Sequence, residues 1–144
     1  MGLLTPLAGE HRSFRAGHDV ASSNPYITAF NSSTGKTYWS VTLADVMGDF
    51  QQLVLLGSAV CAGGDATDDD GDGGTNVVVA CFNASKGTLL WKKEFENPSD
   101  GSTNLQFQSV SGGKGLLVGL YDTDSSDTIV LAVDPKTGNI VQQD

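Results

Sequence analysis

The stretch Ile27–Leu43, ITAFNSSTGKTYWSVTL, decides how the rest of the chain is read. It returns as VVACFNASKGTLLWKKEF over 78–95 and as IVLAVDPKTGNIVQQ over 129–143. Each copy has an apolar run, then Asn or Asp, three residues, a Gly and a second run. The glycines Gly35, Gly87 and Gly138 are spaced 52 and 51 residues apart. A nearly constant period of this size is the signature of a repeat architecture.

Each copy predicts a β-hairpin. The opening Asn31, Asn83 or Asp134 can bond its own backbone two residues on, which favours a turn. The closing Gly accepts a left-handed backbone without a Cβ penalty. Together they predict a type I turn followed by a glycine bulge. In the second strand, residues alternate between faces: Trp39, Val41 and Leu43 on one, Tyr38, Ser40 and Thr42 on the other. Trp39 and Trp91 each lie four residues after the turn glycine, while the third copy has Gln142 there. Further strands are expected at 53–56, 59–62, 105–110 and 116–121, about four per unit, and no helix is expected. The domain reading is therefore a poorly structured segment over 1–25 and a repeat domain over 26–144, with hairpins at 27–43, 78–95 and 129–143. An acidic loop, GGDATDDDGDGG, is expected over 63–74, and a second polar loop over 96–104.

The chain has 144 residues and a mass of 15.0 kDa, one domain at most. Only 17% of residues are charged, which argues against a coiled coil or a charged disordered tail. A net charge of −9 argues against binding a phosphate backbone. No apolar run approaches the length of a membrane span, and the start, MGLLTPLAGEHRSFRAGH, does not read as a signal peptide.

The pattern A-x-[ND]-x-x-T-G-x-x-x-W resembles the PQQ-like β-propeller repeat. Ala29, Asn31, Thr34, Gly35 and Trp39 fill it in the first copy; Asn83, Gly87 and Trp91 carry it in the second. Ala132, Asp134, Thr137 and Gly138 carry it in the third. A narrower likeness is to the family of endoplasmic reticulum membrane protein complex subunit 1. Its elements here are Trp39-Ser-Val-Thr-Leu43, Phe50-Gln-Gln-Leu53, Leu55-Leu-Gly57, Gly87-Thr-Leu-Leu-Trp91 and Gly138-Asn-Ile-Val-Gln-Gln143. The resemblance implies an all-β fold: a partial propeller of about two to three four-stranded antiparallel blades. A closed propeller needs at least four blades, so the chain is expected to be a partial product or an oligomerising unit. The repeat position of Trp39 and Trp91 implies packing between blades.

The narrower likeness implies a non-catalytic scaffold in the endoplasmic reticulum lumen, belonging to a membrane-anchored protein that supports membrane-protein insertion and folding. Its partners would be other protein subunits of a membrane complex, with no cofactor, no nucleic acid and no membrane span in this chain. The rival readings are a fragment of a quinone-dependent dehydrogenase and a bacterial envelope propeller scaffold.

Individual residues carry weaker signals. Asp68, Asp70 and Asp72 match the first half of a calcium loop, but Val79 stands where its bidentate Glu belongs. A solvated loop opened by charge repulsion is the favoured reading. Cys61 and Cys81 flank this loop and could pair in an oxidising lumen. Two small buried apolar residues is the alternative, and the preferred one. Asn31-Ser32-Ser33 and Asn83-Ala84-Ser85 are N-glycosylation sequons, although turn chemistry alone accounts for each Asn. His11 and His18 lack ligand partners at metal-binding spacing and read as surface residues. No catalytic motif is legible.

Overall fold

In a computed structural model, the structure describes residues 3–4, 11–67, 75–95, 105–112 and 115–143. Among the described residues, twelve strands form three four-stranded sheets, and every neighbouring pair is antiparallel. Blade 1 contains β1 (Leu3–Leu4), β2 (Arg12–His18), β3 (Pro25–Asn31) and β4 (Thr37–Thr42). Blade 2 contains β5 (Gln52–Leu56), β6 (Ala59–Thr67), β7 (Thr75–Asn83) and β8 (Leu89–Phe95). Blade 3 contains β9 (Leu105–Ser111), β10 (Leu116–Asp122), β11 (Asp127–Val133) and β12 (Ile140–Gln143). Strand order follows chain order in each sheet, as in a partial propeller. No helix in the described residues is long and apolar enough to cross a membrane.

The three turns are built alike. Gly35, Gly87 and Gly138 have φ of +78°, +78° and +80°, a region where Gly meets no Cβ penalty. Each donates its N–H to the carbonyl of the opening residue four positions back, at 2.7, 2.8 and 2.8 Å. A register shift follows between Ala29 and Phe30, Cys81 and Phe82, and Ala132 and Val133.

Two sequence expectations need correction. Within 1–25, expected to be poorly structured, Arg12–His18 forms β2 and pairs with all of β3. Phe14 and Ala16 are fully buried there, and polar neighbours hide this alternation in the sequence. Nor is 63–74 a loop throughout. Gly63 to Thr67 belong to β6 and pair with Val79 to Thr75 of β7. The remainder, 68–74, lies outside the described residues, as does 96–104.

The apolar side chains divide into two clusters, one in each gap between blades. Between blades 1 and 2 lie Phe14, Ile27, Phe50, Val60, Val78 and Phe82. Between blades 2 and 3 lie Val77, Val79, Trp91, Phe95, Leu105 and Phe107, among others. Successive residues of β7 point to opposite gaps, so Val77 to Phe82 are all buried.

The link between blades 1 and 2 runs against the far end of β6. Asp49 N–H donates to Asp65 O at 3.0 Å, and Gln51 N–H donates to Gly63 O at 2.8 Å. This apposition leaves no room at Gly64, where a Cβ would fall 1.7 Å from the Asp49 carbonyl oxygen. Gly64→Ala must therefore push the apposed backbones apart, at an expected cost of about 3 kcal/mol. Gly115→Ala meets nothing within 4 Å, so its cost should stay within about 0.5 kcal/mol. Chemical denaturation of the two variants beside the parent chain checks this contrast.

Candidate functional site: the joints between blades

The chemistry of this chain concentrates where one blade meets the next. At the first joint, Trp39 on β4 reaches from blade 1 to the 83–87 turn of blade 2. Its Nε1–H donates to Ala84 O at 3.1 Å. Its ring lies on Gly87, where a Cβ would fall 2.5 Å from Trp39 Cδ2. Phe14 and Phe82 flank the indole at ring separations of 6.0 and 6.3 Å. The second joint repeats the arrangement one blade on. Trp91 Nε1–H donates to Pro135 O at 2.7 Å, and a Cβ at Gly138 would fall 2.6 Å from Trp91 Cε3. The turn glycine thus has two tasks: it takes the left-handed backbone, and it leaves the floor on which an indole rests.

The opening residue stiffens each turn from within. Asn31 Oδ1 accepts from Ser33 and Thr34 N–H at 2.8 and 3.1 Å. Asn83 Oδ1 accepts from Ser85 and Lys86 N–H, both at 3.0 Å. Asp134 Oδ1 accepts from Lys136 N–H at 2.9 Å. The two sequon asparagines therefore hold turns, but in different settings. The residues after Asn31 are exposed, whereas Ala84 and Gly87 are buried under Trp39.

Arg12 adds a second clamp at the first joint, and sequence reading missed it. Its Nη1 donates to Ala84 O at 3.1 Å and to Ser85 O at 2.8 Å. The guanidinium also stacks 4.2 Å above the Tyr38 ring, whose hydroxyl accepts from Asn31 Nδ2. Nothing local in Arg12-Ser-Phe-Arg15 signals this, since the acceptors lie more than 70 residues away.

Asp65 is likewise a joining residue. Its Oδ1 accepts Phe107 N–H of blade 3 at 2.6 Å, and its Oδ2 accepts from Gln51 Nε2 at 3.1 Å. Gln52 Oε1 accepts from Val110 N–H at 3.1 Å, again across the gap. Lys92 pairs with Asp45. His18 Nδ1 lies 3.4 Å from Asp49 Oδ1 without hydrogen-bond alignment.

Cys61 and Cys81 stand directly opposite across β6 and β7, and the structure joins them as a disulfide. The preferred sequence reading of two unlinked apolar residues does not hold. Both are fully buried in the cluster between blades 2 and 3. The calcium candidates Asp68, Asp70 and Asp72 lie outside the described residues. Among the described residues, no three His, Cys, Asp or Glu side chains group as a metal site.

No family model matches this sequence, and no curated protein matches it. Solved structures do. Quinohemoprotein alcohol dehydrogenase ADHIIG of Pseudomonas putida HK5 superposes with a TM-score of 0.62 at 16% identity, over 93% of this chain and 25% of that one. The quinohemoprotein alcohol dehydrogenase of Comamonas testosteroni gives 0.56 at 11%, over 93% and 27%. The chain therefore spans about a quarter of each of these structures. At such identities the likeness is one of fold: a partial PQQ-like β-propeller.

The two glycine turns separate backbone strain from indole docking. Both Gly35→Ala and Gly87→Ala place Ala at φ +78°, which costs about 1–2 kcal/mol. Only Gly87→Ala also displaces an indole, so it should be the more destabilising by about 1–3 kcal/mol in thermal unfolding. The disulfide has its own readout. Under denaturing, non-reducing conditions an alkylating reagent should add no mass to the chain; after reduction it should add two equivalents, one each at Cys61 and Cys81.

Proposed function

We propose that this chain is a non-catalytic propeller segment that holds other protein subunits, in the manner of the lumenal propeller of endoplasmic reticulum membrane protein complex subunit 1. The observation that carries the reading is the outward face of blade 3. Leu117, Val130 and Val141 are 44%, 37% and 67% exposed. Leu117 and Val141 line a shallow cleft of about 310 Å³ together with Gly112, Leu116, Ala132 and Val133 among others. An apolar sheet face of this kind suits a protein partner. The polar side chains at the joints support the same reading. Arg12, Asp65, Gln52 and both indole N–H groups are spent on contacts between blades.

A lumenal, membrane-complex setting belongs to the proposal. The segment order around Trp39, Phe50 and Gly138 supports it, as does a buried disulfide, which suits an oxidising compartment. Asn31 would be the glycan acceptor, because residues 32–38 after it are exposed, whereas Ala84 and Gly87 in the turn of Asn83 are buried. The rival is a fragment of a quinone-dependent dehydrogenase. It is favoured by one observation, that the two solved structures described above are quinohemoprotein alcohol dehydrogenases.

Fractionation of the source cells with an antibody to this chain separates the two. The expected result is a membrane-bound band well above 15.0 kDa that shifts on glycosidase treatment. A soluble product, unshifted by glycosidase, that reduces dye only with added quinone and calcium would overturn the scaffold reading in favour of the enzyme.

A further inference from the structure

The disulfide sits in the middle of a row of side chains that blade 3 covers from both ends. Across blade 2, Val54, Cys61, Cys81 and Trp91 stand opposite one another on β5, β6, β7 and β8. Opposite residues share a face of the sheet, and all four belong to the packing between blades 2 and 3. At one end, Gly112 after β9 lies on Val54, where a Cβ would fall 2.9 Å from Val54 Cγ2. At the other end, Trp91 rests on Gly138 and donates to Pro135 O. Two residues along β6 from Cys61, a Cβ at Gly63 would fall 2.6 Å from Phe107 and 2.9 Å from Val110. Strand β9 therefore lies directly on β6 beside the disulfide, and both cysteines are fully buried. The opposite face of β6 and β7 carries Val60, Ala62, Ala80 and Phe82 against blade 1. Within the sheet, β5 and β8 flank the two bonded strands. A reagent in water thus has one route to the sulfurs, through the gap that blade 3 fills.

We propose that the joint between blades 2 and 3 is a redox gate: the Cys61–Cys81 disulfide exchanges with a dithiol reductant only when blade 3 parts from blade 2. In the open state a thiolate of the dithiol attacks one cysteine sulfur, and the S–S bond breaks. The other cysteine leaves as a thiolate and takes up a proton. The second thiolate of the reductant then attacks its own sulfur in the mixed disulfide and releases the first cysteine, which is protonated in turn. Two electrons pass from the dithiol to the protein, and the reductant ends as a disulfide. Such an opening is local, because it needs only one of the two joints to part. While Trp91 is seated on Gly138 the central blade keeps its bond in reducing surroundings. While blade 3 is undocked the bond is open to exchange, so it forms before blade 3 seats. The redox state of blade 2 thereby records whether its neighbour has been in place. The gate rests on the disulfide and on blade packing, and it is independent of the compartment and scaffold reading.

The test is the rate at which dithiothreitol reduces the folded full-length chain, read as alkyl groups added per chain after a denaturing quench. Two matched variants separate the joints. Gly138→Ala disturbs the joint over the disulfide, and Gly87→Ala disturbs the other joint in the same way, since each Cβ meets an indole. Where either fails to fold, Trp91→Phe and Trp39→Phe replace the pair. Each of these keeps a ring and loses the hydrogen bond to the neighbouring turn. Chemical denaturation gives the global stability of every variant. Compared at equal global stability, the variant of the second joint should be reduced about tenfold faster than that of the first, as expected when a contact that holds only the local opening is weakened. Acceleration that follows global stability alike in both variants would overturn the proposal, because the sulfurs would then be reached only by unfolding the whole chain. Reduction of the unaltered chain as fast as that of oxidised glutathione would overturn it too, because no gate would exist. The rates are measured on purified chain, so they say nothing about membrane association or glycosylation, and those results say nothing about the gate.

Discussion

The contact on which the structure depends is an indole lying on a glycine of the next blade. It joins elements separated by about 45 residues, and it works only because the glycine has no side chain. Any Cβ at Gly87 or Gly138 would sit inside the indole's van der Waals surface. The hydrogen bond to the turn carbonyl then fixes the ring in its plane, since a buried indole N–H needs a partner. Turn geometry, blade spacing and blade orientation are thereby set by one residue pair. This is why the spacing of Gly35, Gly87 and Gly138 varies by a single residue across the chain.

The consequence for the core is plainest in blade 2. Its β6 and β7 face apolar neighbours on both sides: Val60, Ala62, Val78 and Phe82 toward blade 1, and Cys61, Val77, Val79 and Cys81 toward blade 3. A sheet apolar on both faces has no stable life in water, so blade 2 is folded only while both neighbours are. Stability is then a property of the joints more than of the sheets, as in other repeat arrays. The disulfide acts differently. It links two strands of one blade across a loop of 20 residues, which in a chain-entropy account contributes about 3 kcal/mol by restricting the unfolded state. It secures the central blade and leaves both joints non-covalent.

Much of this was legible in the sequence because turn chemistry is local. Asn31-Ser-Ser-Thr-Gly35 and its two relatives name their own conformation, and the hairpins follow from them. What escaped was whatever depends on a distant partner. Arg12 and His18 bracket a strand whose apolar residues, Phe14 and Ala16, are outnumbered by polar ones. The strand exists because Arg12 finds carbonyls at Ala84 and Ser85 and because β3 offers a full edge. Gly63-Gly64-Asp65 read as an acidic loop, yet the glycines are there for close approach: Gly64 to the Asp49 backbone and Gly63 to Phe107. Cysteine spacing could not say whether Cys61 and Cys81 meet, since that rests on a register the acidic stretch conceals.

The two outer faces of the array differ in a way that bears on what lies beyond them. Where blade 2 presents Val78, Ala80 and Phe82, blade 1 presents Tyr26, Thr28 and Phe30, with Arg15 alongside. That face tolerates water, because each polar group can be solvated or paired within the blade. Blade 3 instead turns Leu117, Val130 and Val141 outward, with Ser111, Tyr121, Thr128 and Gln142 on the strands of the same blade and a mainly apolar cleft at one end. Its last strand, β12, carries Gln142 in place of an indole, so whatever covers this face is not held by the contact used at the two inner joints. A repeat that changes its joining residue at one end changes the kind of neighbour that end can keep. The blade 1 end retains a glycine turn of the kind that floors an indole, and the blade 3 end offers an apolar cleft with no indole of its own.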